Sequence, residues 1–202
     1  MAVKETAKDA LKIVMYLGSN RNPRACSRVA KFVQNALVKT NHEVTVFDPW
    51  ELDLPVLKQA MMMVKDWSTL PERLVRANEA LVASDAIVVV SGEYNHSIPP
   101  ALSNLIDHFP LSSYAFKVSA IVCYSPGPYG GMRAAMQLRA MLGEIGTVSI
   151  PNIFGIPRVT GALSEEGEPL NDHMESGVGK LITQLDWYAK AIRDRKRENG
   201  TP

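Results

Sequence analysis

Residues Lys12–Ser27 read KIVMYLGSNRNPRACS. The first six are apolar apart from Lys12 and stop at Gly18. Their length and apolar content are those of a strand buried on both faces of a parallel sheet. A polar, basic stretch follows. From Ser27 to Lys39 the pattern turns helical, with Val29, Ala30, Val33, Ala36 and Leu37 on one face. A buried strand that feeds a helix through a short loop is the opening half of a parallel crossover unit.

Working outward, the same unit recurs. Glu43–Phe47, Ala86–Ser91 and Val118–Tyr124 are predicted strands, with Thr147–Pro151 as a weaker fifth. Between and after them, Pro71–Ser84, Pro100–Phe109, Met132–Ile145 and about His173–Arg195 carry helical periodicity. Strict alternation with right-handed crossovers predicts an α/β doubly wound parallel sheet with helices on both faces. Five strands in this length fit the flavodoxin-like order 2-1-3-4-5 better than a six-stranded dinucleotide fold. No repeat, low-complexity tract or linker interrupts the chain. One domain over residues 1–202 is expected, its core about 11–190. Pro49–Leu70 is long and irregular, and contains Trp50, Pro55, Met61–Met63 and Trp67. Insertions of that kind cover sites or form subunit contacts.

Bulk composition narrows the partners. The 202 residues carry 22 Lys+Arg against 21 Asp+Glu, a formal charge of +1. That balance provides no broad basic field for nucleic acid, and no acidic excess for a small electron carrier that docks on basic partners. Four of the five residues Arg193–Arg197 are basic, but cations in a last helical turn complement the helix dipole. The N-terminus has too short an apolar run for a signal peptide, and no apolar stretch is long enough to span a membrane. Cys26 and Cys123 form no CxxC or zinc-type cluster, so two reduced thiols in a cytoplasmic protein are expected, with no metal site.

In an open α/β sheet, ligands bind at the carboxyl ends of the strands. The first loop there, Gly18–Ser27, opens a helix whose free N–H groups and partial positive charge suit a phosphate. Ser19 and Ser27 add hydroxyls, and Arg21 and Arg24 add guanidinium groups. The loop is neither GxGxxG nor GxxxxGK[ST], so a terminal phosphate fits better than a pyrophosphate. A helix with solvent-exposed arginines would carry the same residues without a ligand. The second loop, Ser91–Pro100 (SGEYNHSIPP), offers Tyr94 for stacking and main-chain N–H groups for a planar ring, though a polar turn ended by prolines reads equally well. The third, Ser125–Gly131 (SPGPYGG), permits close backbone approach, with Tyr129 available to flank a ring; a stiff surface turn is its alternative.

These same residues resemble a known family. Gly18-Ser19-x-Arg21-x-x-Arg24, the run Gly92-Glu93-Tyr94-Asn95-His96-Ser97-Ile98-Pro99 leading into Leu102–Asp107, and Tyr129-Gly130-Gly131-Met132-Arg133-Ala134 are similar to the NADPH-dependent FMN reductases. Pro151-Asn152-x-x-x-Ile156-Pro157 matches a late segment of that family. The resemblance implies bound FMN, with NADPH or NADH as co-substrate. It places Ser19, Arg21, Cys26 and Ser27 around the phosphate. Gly92, Glu93, Tyr94 and Asn95 would line the isoalloxazine, and Ser125, Gly127 and Gly130 would hold its other edge.

The implied activity is ping-pong transfer of two electrons, through the flavin N5, to a quinone-type acceptor. Reduction of azo compounds, chromate or free FMN is the alternative, and a flavin-bound redox-sensing module is a further one. No nucleophilic triad or acid–base pair is needed. Tyr94 and His96 are candidate acceptor-pocket residues, and His96 can carry a proton near neutral pH. The implied assembly is a homodimer or tetramer.

Overall fold

The computed structural model describes residues 9–202. Its sheet has five strands: β1 (Lys12–Leu17), β2 (Glu43–Phe47), β3 (Ala86–Gly92), β4 (Lys117–Tyr124) and β5 (Thr147–Ile156). All neighbours are parallel, and the spatial order is β2-β1-β3-β4-β5. This is the flavodoxin-like order expected from the sequence. The switch in direction lies at β1 and β3, so the loops after these two strands diverge and leave a crevice at their carboxyl ends.

Alternation along each strand feeds two separate cores. Ile13, Met15 and Leu17 of β1 face one, together with Val88 and Val90 of β3 and Val118, Ala120 and Val122 of β4. Helices α1 (Ala25–Lys39) and α8 (Asp172–Asn199) cover that face. Val14 and Tyr16 point the other way, with Ile87, Val89 and Ile121. There α3 (Glu72–Ala83), α4 (Pro100–Asp107) and α6 (Met132–Glu144) close the second core.

Five short helices among the described residues have no counterpart among the expected elements: α2 (Pro49–Leu52), α5 (Leu111–Tyr114), α7 (Val159–Ala162) and the 3-10 turns Met61–Met63 and Trp67–Thr69. Each is a single turn, too short to show a periodic face. Strand β5 is longer than expected. Its pairing with β4 slips between Ser119 and Ile121, and Pro151 is tolerated because β5 is an edge strand.

The irregular Pro49–Leu70 segment runs as a strap over α4. Met61 is buried in the second core, whereas Met62, Met63 and Trp67 are exposed. The Trp67 indole donates to the Met61 carbonyl at 3.1 Å. In the terminal basic run, Arg193 is buried and reaches Asp9 and the Ala10 carbonyl, so it fastens α8 to the start of β1.

Candidate active site

The first loop leaves β1 at Gly18, whose N–H donates to the Val90 carbonyl at 2.8 Å. A Cβ at Gly18 would lie 2.9 Å from the Ser91 Cα, so the close approach of β1 to β3 requires glycine. Ser19 is buried. Its hydroxyl accepts the Arg21 N–H at 3.2 Å and is hydrogen-bonded to the Tyr94 hydroxyl of the second loop. The Arg21 guanidinium lies over the Tyr94 ring, 3.8 Å from its centroid. Two loops 75 residues apart in sequence are thereby joined.

Arg24 does not behave as the sequence suggested. Its guanidinium is committed to Asp48, with Nη1 and Nη2 each 2.8 Å from a carboxylate oxygen, and to the Ser19 carbonyl. The hydrogen bond to Asp48 holds its pKa above the ordinary arginine value. It is a brace for the loop and not an available phosphate contact. Arg21 is the exposed arginine of the loop, and no ion pair with a carboxylate occupies it among the described residues.

Arg24 is the N-cap of α1 and makes no side-chain cap. The N–H groups of Ala25 and Cys26 therefore stay directed at the loop, while that of Ser27 donates to the Arg24 carbonyl at 3.3 Å. The Cys26 side chain is fully buried in the core beneath it. Burial pushes that thiol up, against the opposing effects of its hydrogen bond to Tyr124 and of the Arg24 charge. Cys26 thus offers a ligand its main chain, not a reactive sulfur. Both cysteines are free and buried.

In the second loop, Tyr94 and Ser97 exchange main-chain hydrogen bonds of 3.0 and 2.9 Å. Asn95 (φ 50°) and His96 (φ 62°) form the left-handed tip between them. Gln137 of α6 holds this tip, donating to the His96 carbonyl at 2.9 Å and accepting from the Ser97 hydroxyl at 2.8 Å. Glu93 turns to the same helix. Its carboxylate accepts the N–H groups of Arg133 and Ala134 at 3.0 and 3.3 Å, and pairs with the Arg133 guanidinium. An anion at that helix N-terminus is favourable. The carboxylate is thereby spent, so what Glu93 offers a planar ring is its main chain. His96 is exposed at the tip.

The third loop is tied to β5. Ser125 donates its N–H to the Ile156 carbonyl at 3.2 Å and its hydroxyl to the Gly127 carbonyl at 3.1 Å. Gly130 and Gly131 are left-handed, and Gly131 caps α6. A Cβ on Gly127 would meet nothing within 4 Å. The Arg133 guanidinium stacks on Tyr129, 4.4 Å from the centroid.

The residues that sequence reasoning missed are the braces: Asp48, Gln137, and Tyr124 against Ser19 and Cys26. None belongs to a motif, and each sits on an element distant in sequence from the loop it supports.

Three loops converge on the carboxyl edge of the sheet, and the sequence profile of the NADPH-dependent FMN reductases matches residues 11–161, which include all three. The chain belongs to that family. Among FMN reductase relatives, a quinone reductase from Pseudomonas putida is 37% identical over 131 residues, covering 61% of this chain and 68% of its own. An NAD(P)H-dependent FMN reductase from Pseudomonas aeruginosa is 27% identical over 128 residues, covering 61% and 69%. In fold, the chain is similar to a flavoenzyme NAD(P)H:(acceptor) oxidoreductase from Paracoccus denitrificans, with a TM-score of 0.75 at 24% identity over 90% of this chain and 98% of that one. FMN reductases are oxidoreductases, and the site fits their cofactor. The first turn of α1 has no side-chain cap, Ser19 and Arg21 stand beside it, and the open space at Gly127 allows a ring to approach the backbone.

Proposed function

We propose that this protein is an FMN-dependent NAD(P)H oxidoreductase that delivers two electrons to a quinone-type acceptor. The observation that carries the reading is the joint placement of the uncapped α1 turn, Ser19 and Arg21 against Tyr94 at the sheet's carboxyl edge. When bound, FMN would supply the two-electron redox chemistry, through N5 and in ping-pong alternation between NAD(P)H and the acceptor.

The protein's own groups do the rest. The Ala25 and Cys26 N–H groups, the Ser19 and Ser27 hydroxyls and the Arg21 guanidinium would bind the phosphate. The main chain of Gly92–Asn95 would hold one edge of the ring, and main-chain donors would stabilise negative charge on the reduced ring. Ser125, Gly127 and Gly130 line the other edge. Tyr94 and His96 border the space for the acceptor.

The expected setting is the cytoplasm, which suits two buried free thiols. Among the described residues no helix is long and apolar enough to cross a membrane. The expected assembly is a homodimer or tetramer, to be read by sedimentation.

The deciding experiment is spectroscopic and kinetic. Purified protein is expected to be yellow, or to turn yellow on adding FMN, and to oxidise NAD(P)H when a quinone is supplied. Colourless protein that binds no added FMN overturns the proposal.

A further inference from the structure

At the amino end of the sheet, opposite the three loops, Phe116 immediately precedes β4 and Val148 stands near the start of β5. These two side chains are 43% and 47% exposed. Both line a groove of about 520 Å³ against the last turns of α8. That volume lies within the range of about 300–1,000 Å³ found for small-molecule sites.

Helical spacing sorts the α8 side of the groove. Ala191 and Arg195 are four residues apart, as are Ile192 and Lys196, and all four line it. Residues so spaced lie one above the other on the same helix face. An apolar pair therefore sits one turn before a basic pair. Phe116 has φ 58°, a left-handed conformation that is costly for an aromatic residue. Its N–H donates to the Gly146 carbonyl at 3.1 Å, which holds the turn and keeps the ring on the groove.

Charge distinguishes this groove from the rest of α8. Lys190 and Arg193 are held by Asp9, Asp186 and Asp194. Neither Arg195 nor Lys196 pairs with a carboxylate among the described residues, and no acidic residue lines the groove. The other groove along this helix, lined by Trp187, holds Glu175 as well as Lys180, so its charges cancel. Against Phe116, Val148 and Ile192 an apolar body gains by leaving water, and an anionic end gains two cations.

We infer that this groove binds an apolar monocarboxylate, with its carboxylate at Arg195 and Lys196 and its apolar body against Ile192, Val148 and Phe116. The site is separate from the flavin site and does not rest on the flavin-reductase reading.

The test uses the full chain with excess FMN, which keeps the probe from the phosphate loop. The probe is decanoate, and decanol is its uncharged counterpart. Decanoate is expected to bind one per chain in equilibrium dialysis and to shift the methyl resonances of Val148 and Ile192. Decanol is expected to bind at least about tenfold more weakly, as charge-assisted hydrogen bonds are lost. Added salt is expected to weaken decanoate and not decanol. The double variant Arg195→Gln/Lys196→Gln is expected to raise the decanoate Kd at least about tenfold and to leave decanol unchanged. Lys180→Gln, a charge loss in the other groove, is expected to keep the wild-type Kd.

No binding of decanoate overturns the site. So does an unchanged Kd in the double variant, an equal loss in Lys180→Gln, or binding that leaves the Val148 and Ile192 methyls unmoved. A lower sedimentation mass in Val148→Asp also overturns it, since the groove is then a contact between copies.

Discussion

The Arg24 guanidinium and the Asp48 carboxylate form a two-point ion pair, both N–O distances 2.8 Å, with each side chain about one-sixth exposed. The same guanidinium donates to the Ser19 carbonyl through Nε and Nη2, at 3.1 and 2.6 Å. Asp48 at the end of β2 thereby holds the first loop in shape. Asp48→Asn is expected to lower unfolding stability by about 2 kcal/mol, the scale of charge-assisted hydrogen bonds. Urea unfolding of the apo protein measures it. Arg24→Lys is expected to fail as a substitute, because an ammonium cannot span both oxygens and the carbonyl.

Arg21 contrasts with Arg24. It is exposed, and its guanidinium stacks on the Tyr94 ring. Arg21→Ala is expected to weaken FMN binding roughly ten- to a hundredfold, through one charge-assisted phosphate contact. Apo stability is expected to stay within about 0.5 kcal/mol of wild type. Fluorescence titration of FMN reads the first, and urea unfolding the second. An unchanged Kd would place the phosphate elsewhere.

Two glycines of the third loop separate folding from binding. Gly131 has φ 78°, and a Cβ there would lie 2.9 Å from the Tyr124 main-chain N and O. Gly131→Ala is expected to cost more than about 1 kcal/mol of stability. Gly127 has open space around its Cβ position. Gly127→Ala is expected to leave apo stability nearly unchanged while weakening FMN binding, because the methyl group would fill space that the proposed ring site uses. Wild-type FMN affinity in Gly127→Ala would remove this loop from the site.

Lys117 gives a pH signature far from the site. It is 3% exposed at the start of β4, and its Nζ donates to the Val82 and Ser84 carbonyls. Burial pulls its pKa from 10.5 down to about 8. Between those values the unfolded chain binds more protons than the native one, so this contribution to stability rises with pH. The burial penalty is full below about pH 8 and is relieved toward pH 10.5. The Tm difference between wild type and Lys117→Met is expected to shift in favour of wild type across that window. A difference independent of pH would mean the ammonium stays charged throughout.

Much of the fold was legible because β1, β3 and β4 are buried on both faces and read as continuous apolar runs. Strand β5 was harder. It is an edge strand with Pro151 and a mixed burial pattern, and a register slip against β4 hides its full length. The single-turn helices left no signal because one turn has no periodicity. The three site loops were legible from their positions after buried strands and from their residue types. Their partners were not, since Asp48 and Gln137 act across 24 to 41 residues of sequence.

By itself the sequence determined the strand order and the three loops at the carboxyl edge, because hydrophobic period and chain handedness are local or nearly local properties. Only the tertiary structure decided which side chains in those loops are free to act. Arg24 and Glu93 look as available as Arg21 and Tyr94 in the chain. Folding brings an Asp48 carboxylate to one and a helix N-terminus to the other, and a charge so satisfied is part of the scaffold. The strap was visible as an irregular stretch, but only the fold shows that Asn104 of α4 holds its backbone at Pro55 and Leu57.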